Sequence, residues 1–180
     1  MNLHNTDYSY GLIARSLHWI IALLIIAAWC VGYYATDLPP QDASKGMLFS
    51  LHKSVGMLIL MLVIARLSWR AYDGSPKFAN MNPLLVVAAR TVHYLLYVFM
   101  FVQPISGWAM SSAAGYTPTF FGLFTFPALV AKNPLVVEKY VFIHNASAMV
   151  LLTLFIIHVG AALFHHFVLK DNTLRRMTMD

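Results

Sequence analysis

The clearest sign of how this chain folds is the stretch VFIHNASAMVLLTLFIIHVGAALFHHFV at residues 141–168. It is long enough to cross a bilayer as a helix, which takes about 20 mostly apolar residues. Three similar stretches lie at residues 12–34, 47–69 and 84–113. Over the whole chain 59% of the residues are hydrophobic and 11% are charged, which excludes an ordinary soluble domain. The sequence predicts an all-α fold, an integral membrane four-helix bundle in which residues 1–180 form a single membrane domain.

The distribution of basic residues predicts the orientation of the bundle. Lys and Arg collect on the cytoplasmic side of membrane proteins. Of the 12 Lys and Arg residues, eight fall on the side of the two termini and four on the other. Both termini are therefore expected in the cytoplasm, with the connection at 71–83 on that side. The connections at 36–45 and 115–139 are expected outside. The four external basic residues are Lys45, Lys53, Lys132 and Lys139.

Each apolar stretch contains a histidine that belongs to a pair of positions fourteen residues apart. The pairs are His144 and His158, His52 and Arg66, His18 and Gly32, and His93 and Gly107. Fourteen residues make about four helical turns and roughly 21 Å of rise, so both members of a pair lie on nearly the same face. Because successive helices run antiparallel, these positions form two layers. The inner layer contains His18, Arg66, His93 and His158, and the outer layer contains Gly32, His52, Gly107 and His144.

Two layers of histidines predict two cofactor sites stacked across the membrane. Ionisable groups within a span are costly and usually functional, although a single histidine can also simply bond to a neighbouring helix. A bis-histidine site in the outer layer has to use His52 and His144. In the inner layer, spacing alone leaves either His18 or His93 as the partner of His158. The chain has one cysteine and no C-x-x-C-H motif, so any haem must be bound non-covalently.

Three glycines and one arginine are expected to line these sites. A flat ring approaches a helix most closely at glycine. Gly32 and Gly107 lie at the outer depth on the helices that supply no outer ligand, and Gly56 lies one turn from His52. Each of these glycines can also serve ordinary packing between membrane helices. The guanidinium of Arg66 lies at the inner depth, where it can pair with a haem propionate.

Six motifs make the chain similar to the bacterial cytochrome b561 family, four-helix proteins that carry two b-type haems. They are S-L-H-W at Ser16–Trp19, L-H-K-S-x-G at Leu51–Gly56, R-L-x-W-R at Arg66–Arg70, P-I-S-G at Pro104–Gly107, the His144 and His158 pair, and H-H-F-x-x-K-D-N-T-L-x-R-M at His165–Met177. The resemblance implies that His18 and His158 hold an inner haem. It implies that His52 and His144 hold an outer haem, and that the protein lies in the bacterial inner membrane.

Bis-histidine ligation fills both axial positions of a haem, which favours electron exchange over tight binding of dioxygen. Several members of the family resemble superoxide oxidases, so the resemblance implies that superoxide gives its electron to the outer haem and ubiquinone is reduced to quinol. Lys53, Lys45, Lys132 and Lys139 are expected to attract the superoxide anion, or else to contact lipid headgroups. Candidate quinone contacts are His93, His165, His166, Arg70 and Lys170. His165, His166 and Lys170 can equally be interface anchors.

The main alternative function runs electrons the other way. A quinol-oxidising cytochrome, or a membrane subunit of a larger enzyme, would deliver electrons to a periplasmic redox partner. Such a subunit should react slowly until its partner is added, whereas an enzyme should react with superoxide alone. Between the two layers the helices carry almost only apolar residues, which argues against a transporter. Membrane lipid is an expected partner and nucleic acid is not.

Overall fold

The computed structural model describes residues 2–77 and 82–178 of the protein. Its main elements are four long helices, α1 (Leu12–Asp37), α2 (Lys45–Asp73), α3 (Pro83–Ala113) and α4 (Val137–Phe167). All four are long and apolar enough to cross a membrane, which confirms the predicted all-α membrane bundle. Their ends lie within four residues of the predicted apolar stretches. Residues 78–81, which belong to the predicted connection at 71–83, lie outside the described residues.

The described residues also form three smaller features. A hairpin of two strands, β1 (Thr119–Phe120) and β2 (Phe124–Thr125), and a short 3₁₀ turn (Pro134–Val136) lie between α3 and α4. A one-turn helix, α5 (Arg175–Thr178), follows α4. The hairpin pairs in antiparallel register, Thr119 with Thr125 and Phe120 with Phe124.

Helix ends follow the local sequence. At the start of α3 the side chain of Asn82 accepts a hydrogen bond from the backbone N–H of Leu84 (2.9 Å), and Pro83 occupies the first helical position. Both residues suit a helix start, because the cap satisfies an unpaired N–H and proline lacks one. At the end of α2, Gly74 has a φ of 73°, which glycine adopts without the strain a side chain would bring.

The closest helix packing joins α1 with α2, α3 with α4, and α2 with α3. The buried core contains Ile21 and Ala28 of α1 with Ile59 and Val63 of α2, and Tyr97 of α3 packs against it. Many large apolar side chains on the outside of the helices are exposed. Outward exposure of this kind suits a protein whose surroundings are lipid.

The connections gather at two ends of the bundle. At the tail end, the backbone N–H of Tyr10 donates to the carbonyl of Arg176 (3.3 Å), and the guanidinium of Arg176 donates to the carbonyl of Lys77 (2.6 Å). At the hairpin end, the hydroxyl of Ser54 donates to the carbonyl of Thr119 (2.7 Å) and accepts from the N–H of Phe121 (3.1 Å). Both terminal segments therefore lie at the tail end, and the hairpin covers α2 at the other.

Candidate functional site

The outer layer brings two histidine rings from different helices together. The ring centres of His52 on α2 and His144 on α4 are 6.2 Å apart, with an angle of 85° between the planes. Metal bonds to imidazole nitrogen are about 2.0 Å long, so two rings that share one metal have centres about 6 Å apart. The observed separation leaves room for one metal ion between the two rings.

Hydrogen bonds set the protonation of both outer rings. Nδ1 of His52 lies 2.9 Å from the carbonyl oxygen of Ala28, and Nδ1 of His144 lies 3.0 Å from the carbonyl oxygen of Gln103. A carbonyl oxygen only accepts, so each Nδ1 carries the proton and donates. Each Nε2 then keeps its lone pair for a metal, and the backbone bond orients the ring. In this structure the amide nitrogen of Gln103 donates to that lone pair on Nε2 of His144 at 3.2 Å, so a metal bound there would replace this hydrogen bond.

The inner layer brings three histidines together. The ring centres of His18 and His158 are 6.0 Å apart, almost the separation of the outer pair. The ring of His93 lies closer to His158, at 5.2 Å. The separation of His18 and His158 therefore fits a shared metal as well as the outer pair does, and His93 packs beside His158 as a third ring.

The two outer glycines lie directly against the outer histidines. A Cβ atom added to Gly32 would lie 2.8 Å from Cε1 of His52, and one added to Gly107 would lie 2.9 Å from Cε1 of His144. Both distances are shorter than van der Waals contact. The sequence predicted that a flat ring approaches these glycines closely, and the ring that does so in the structure is an imidazole. A Cβ at Gly56 would meet no atom within 4 Å, so the space beside Gly56 remains open to a flat group.

Arg66 lies at the inner layer between three helices. Its Nη1 donates to the carbonyl of Ala14 on α1 (2.7 Å), and its Nε donates to the hydroxyl of Tyr97 on α3 (3.2 Å). Ala14 is one turn before His18, and Tyr97 is one turn after His93. The guanidinium is therefore held close to the inner histidines. The predicted contact of Arg66 with a propionate remains a prediction.

A cavity of about 620 Å³ opens at the tail end between α2 and α3. Among its lining residues are His93, Arg70, Arg90, Lys77, Tyr94 and Tyr97. Two of the five candidate quinone residues, His93 and Arg70, line it. The two tyrosines were not predicted. Tyr97 lies four positions after His93 on the same helix face and could have been found by extending that face, whereas Tyr94, the next residue after His93, could not. The cavity combines an apolar wall with several hydrogen-bond donors.

The other three candidate quinone residues lie away from the lining of this cavity. Nδ1 of His165 contacts a carboxylate oxygen of Asp171 at 2.5 Å. The ring of His166 packs edge-on against Phe167, and Lys170 is exposed with a φ of 52°. Burial alone would raise the pKa of Asp171, but hydrogen bonds from Thr173 and His165 outweigh it and hold that pKa below its ordinary value. This group forms a polar edge where α4 ends.

The four predicted superoxide-steering lysines have different surroundings. Lys53, next to His52 in sequence, is half-buried, and its Nζ lies 5.5 Å from the ring centre of Tyr116. Nζ of Lys45 donates to the carbonyl of Leu38 at 2.6 Å. Lys132 and Lys139 are both exposed. Of the four, Lys53 is the one adjacent in sequence to an outer histidine.

The donor set suits an iron porphyrin better than a bare metal ion. Residues 2–77 and 82–178 contain no group of three or more His, Cys, Asp or Glu side chains arranged to hold a metal. Two axial imidazoles are enough for a haem, because the porphyrin itself provides four nitrogen ligands. The chain matches the sequence profile of prokaryotic cytochrome b561 over residues 9–179. The chain belongs to the prokaryotic cytochrome b561 family. It is therefore a multi-pass bacterial membrane protein that binds b-type haem and transfers electrons.

Individual relatives of this cytochrome b561 agree with the family match. The chain is 33% identical over 178 residues to cytochrome b561 homolog 2 of Escherichia coli, covering 98% of this chain and 95% of the relative. It is 30% identical over 169 residues to a probable superoxide oxidase, CybB, of Yersinia pestis, covering 93% and 94%. Cytochrome b561 homolog 1 of Escherichia coli is 28% identical over 162 residues, covering 89% and 92%. The similarity thus extends over nearly the whole of each chain.

Proposed function

We propose that this cytochrome b561 carries two haems and passes electrons from superoxide to ubiquinone across the bacterial inner membrane. His52 and His144 would hold the outer haem, and His18 and His158 the inner haem. The observation that carries the proposal is the presence of two histidine pairs, with ring centres 6.2 and 6.0 Å apart, in one bundle. The fourteen residues between His144 and His158 correspond to about 21 Å of helix, which puts the two pairs at different depths.

Haem held by these two histidine pairs would supply one-electron exchange rather than binding of dioxygen. The residues of the chain would orient and insulate the two groups. The carbonyls of Ala28 and Gln103 hold the outer rings in the tautomer that exposes Nε2. Most side chains between the two layers are apolar, which would keep bulk water and ions out of the path. With the hairpin end facing the periplasm, as the basic residues predict, the path would cross the membrane.

Lys53 would draw superoxide toward the outer pair. Its ammonium group lies at the hairpin end beside His52, and a local positive charge raises the concentration of a small anion. Each superoxide that gives up one electron leaves as dioxygen, so two are needed for each quinol formed. The name of the Yersinia pestis relative, a probable superoxide oxidase, supports the choice of this donor. Lys45, Lys132 and Lys139 would add a weaker and more screened attraction.

The tail-end cavity would take the quinone headgroup. Its volume of about 620 Å³ accommodates a substituted ring, and its lining includes hydrogen-bond donors on Arg70, Arg90 and Tyr94. A quinone carbonyl accepts such bonds, and its reduction to quinol consumes two electrons and two protons. The cavity reaches Lys77 at the tail end, from where protons can enter. Further hydrogen bonds to the quinone would come from His165, His166 and Lys170 at the edge where α4 ends. Asp171 would accept the Nδ1 proton of His165.

Purified protein in detergent tests this function directly. Superoxide is generated by rapid mixing, and haem reduction and quinol formation are followed by absorbance, with ubiquinone present or omitted. We expect fast haem reduction that superoxide dismutase abolishes, and one quinol for every two superoxides consumed. Haem that stays oxidised under superoxide but is reduced by added quinol would contradict the proposed direction. The variant His144→Ala is the matched control, because it removes the proposed point of electron entry.

One observation favours a second function, delivery of electrons to a protein at the hairpin end. Tyr116, Leu123 and Phe124 expose 68%, 78% and 51% of their surface there. An apolar patch of this kind can dock a redox partner as well as rest on the membrane interface. A membrane subunit of that type would be reduced by quinol and reoxidised slowly until the partner protein is added.

A further inference from the structure

We infer that Arg66 holds the inner haem at a higher midpoint potential than the outer haem, so that electrons run downhill from the outer layer to the inner one. The inference rests on the two haem sites of the proposed function and adds the order of their midpoint potentials and the residue that sets it. It depends on the different chemical surroundings of the two histidine layers. Arg66 would act through its fixed charge, as a residue that tunes the inner site.

The first step is the position of the charge. Nη1 of Arg66 donates to the carbonyl of Ala14 at 2.7 Å, one turn from His18, and Nε donates to the hydroxyl of Tyr97 at 3.2 Å, one turn from His93. Two bonds from two different helices fix the guanidinium plane in this layer. The side chain is partly buried, so water screens its charge less than it would at a surface.

The second step is the lack of a compensating carboxylate near Arg66 within the described residues. The chain contains seven Asp and Glu residues. Six of them are described, and they lie in the terminal segments, in connections or in the first or last turn of a long helix: Asp7, Asp37, Asp42, Asp73, Glu138 and Asp171. Asp180 lies outside the described residues. In the described part of the chain, the guanidinium of Arg66 donates to two neutral oxygens, the hydroxyl of Tyr97 and the carbonyl of Ala14. The inner layer therefore has a cation held by neutral partners.

The third step is the opposite situation in the outer layer. Both outer histidines donate Nδ1–H to a backbone carbonyl, at 2.9 Å for His52 and 3.0 Å for His144. Such a bond makes the imidazole a more basic ligand and stabilises the oxidised iron. Within residues 2–77 and 82–178, no equivalent carbonyl bond is found for His18 or His158. Hydrogen bonding thus lowers the outer potential relative to the inner one.

Lys53 is the cation nearest to the outer pair in sequence. Adjacent residues on a helix point in different directions, and Nζ of Lys53 lies over the ring of Tyr116 at the hairpin end, 5.5 Å from its centre. Lys53 and Arg66 are both half-buried. The inference therefore requires that Lys53 raises the outer midpoint potential less than Arg66 raises the inner one.

The sign of the effect follows from charge. An oxidised haem carries one more positive charge than a reduced haem, so a fixed cation beside it disfavours oxidation and raises the midpoint potential. If a propionate pairs with Arg66, removal of the guanidinium leaves that negative charge uncompensated, and the potential shifts the same way. Both routes predict that loss of the charge lowers the inner potential.

A redox titration followed by absorbance tests the inference without measuring turnover. The variant His144→Ala identifies the inner haem, which is the one expected to remain. We expect the wild-type protein to show two midpoints, the higher of which matches the single midpoint of His144→Ala. Arg66→Gln should lower that midpoint, whereas Arg66→Lys, which keeps the positive charge, should lower it much less. Arg175→Gln is the matched control, because it removes an exposed cation at the same end of the bundle.

Two results would overturn the inference: a lower midpoint for the inner haem than for the outer, or an unchanged inner midpoint in Arg66→Gln. If Arg66→Gln fails to bind haem, Tyr97→Phe decides, since it removes only the bond to Nε. A smaller drop of the inner midpoint in Tyr97→Phe supports the role of Arg66, and no drop contradicts it. Failure of the proposed function would look different, as one haem or none per wild-type chain or as no reaction with superoxide.

Discussion

Replacing Gly32 by alanine should selectively weaken the outer haem site. The added Cβ would lie 2.8 Å from Cε1 and 2.9 Å from Nδ1 of His52. Ordinary van der Waals contact begins near 3.4 Å, so the imidazole has to move away from the new Cβ by about 0.6 Å. The closely packed helices resist this movement. The same Nδ1 donates to the carbonyl of Ala28, one turn earlier on the helix of Gly32, at 2.9 Å. The retreat therefore stretches the bond that orients the ligand.

The size of the effect follows from two free-energy costs, the overpacked contact and the weakened hydrogen bond. Overpacking a tight contact costs about 1–3 kcal/mol, and a buried donor that loses its partner costs about 1–3 kcal/mol. The two costs overlap, because movement that relieves the clash is what breaks the bond. We expect a net loss of roughly 1.5–3 kcal/mol in haem binding, in line with the 10- to 100-fold loss typical when a residue supporting a metal ligand is changed.

Haem titration of the protein, with a count of haem per polypeptide, measures this loss. Gly160→Ala is the matched control, since a Cβ there meets no atom within 4 Å. The reasoning would be refuted if Gly32→Ala bound both haems as tightly as Gly160→Ala. Gly56→Ala tests whether a porphyrin lies beside that residue. A Cβ there also meets no described atom within 4 Å, so a loss of haem in Gly56→Ala would show that a porphyrin occupies the space.

Three further outcomes are expected. His144→Ala should leave one haem per polypeptide, and a count of two would contradict the pairing with His52. Lys53→Gln should slow haem reduction by superoxide by roughly two- to tenfold at low ionic strength and flatten its salt dependence, whereas Lys139→Gln, on an exposed side chain, should change the rate less. The pKa of Asp171 lies below its ordinary value of 3.8 in the folded protein, so its stabilising effect is present above that value and is lost as the pH falls through the folded pKa. Hydrogen exchange of residues 168–178 should therefore rise with acidification in the wild-type protein, and should already be raised at neutral pH in Asp171→Asn.

The membrane bundle was predictable because the bilayer imposes a simple rule. A helix that crosses it needs about 20 apolar residues, and each of the four helices contains such a run. The proximity of His52 and His144 was predictable for a similar reason. The spacing of residues along a helix sets their depth, and the outer layer offers only these two histidines. Their ring centres lie 6.2 Å apart in the structure.

Contacts between residues far apart in sequence could not be predicted in this way. Spacing gave depth but not rotation about the helix axis, so it left His18 and His93 as equal candidates for pairing with His158. In the structure both rings lie near His158, and His93 also lines the tail-end cavity. The same limit applies to His165, a candidate quinone contact whose bond to Asp171 could not be read from spacing.

The amino-acid sequence alone was enough to establish the class of the protein, its four spans and the depth of each histidine, because hydropathy and helical rise are local properties. Tertiary packing decided which atoms meet at those depths. The carbonyls of Ala28 and Gln103 reach the outer imidazoles, and Tyr97 and the carbonyl of Ala14 hold Arg66. These bonds join residues 24 to 52 positions apart, and their formation depends on how the helices are rotated and packed, which no local pattern encodes.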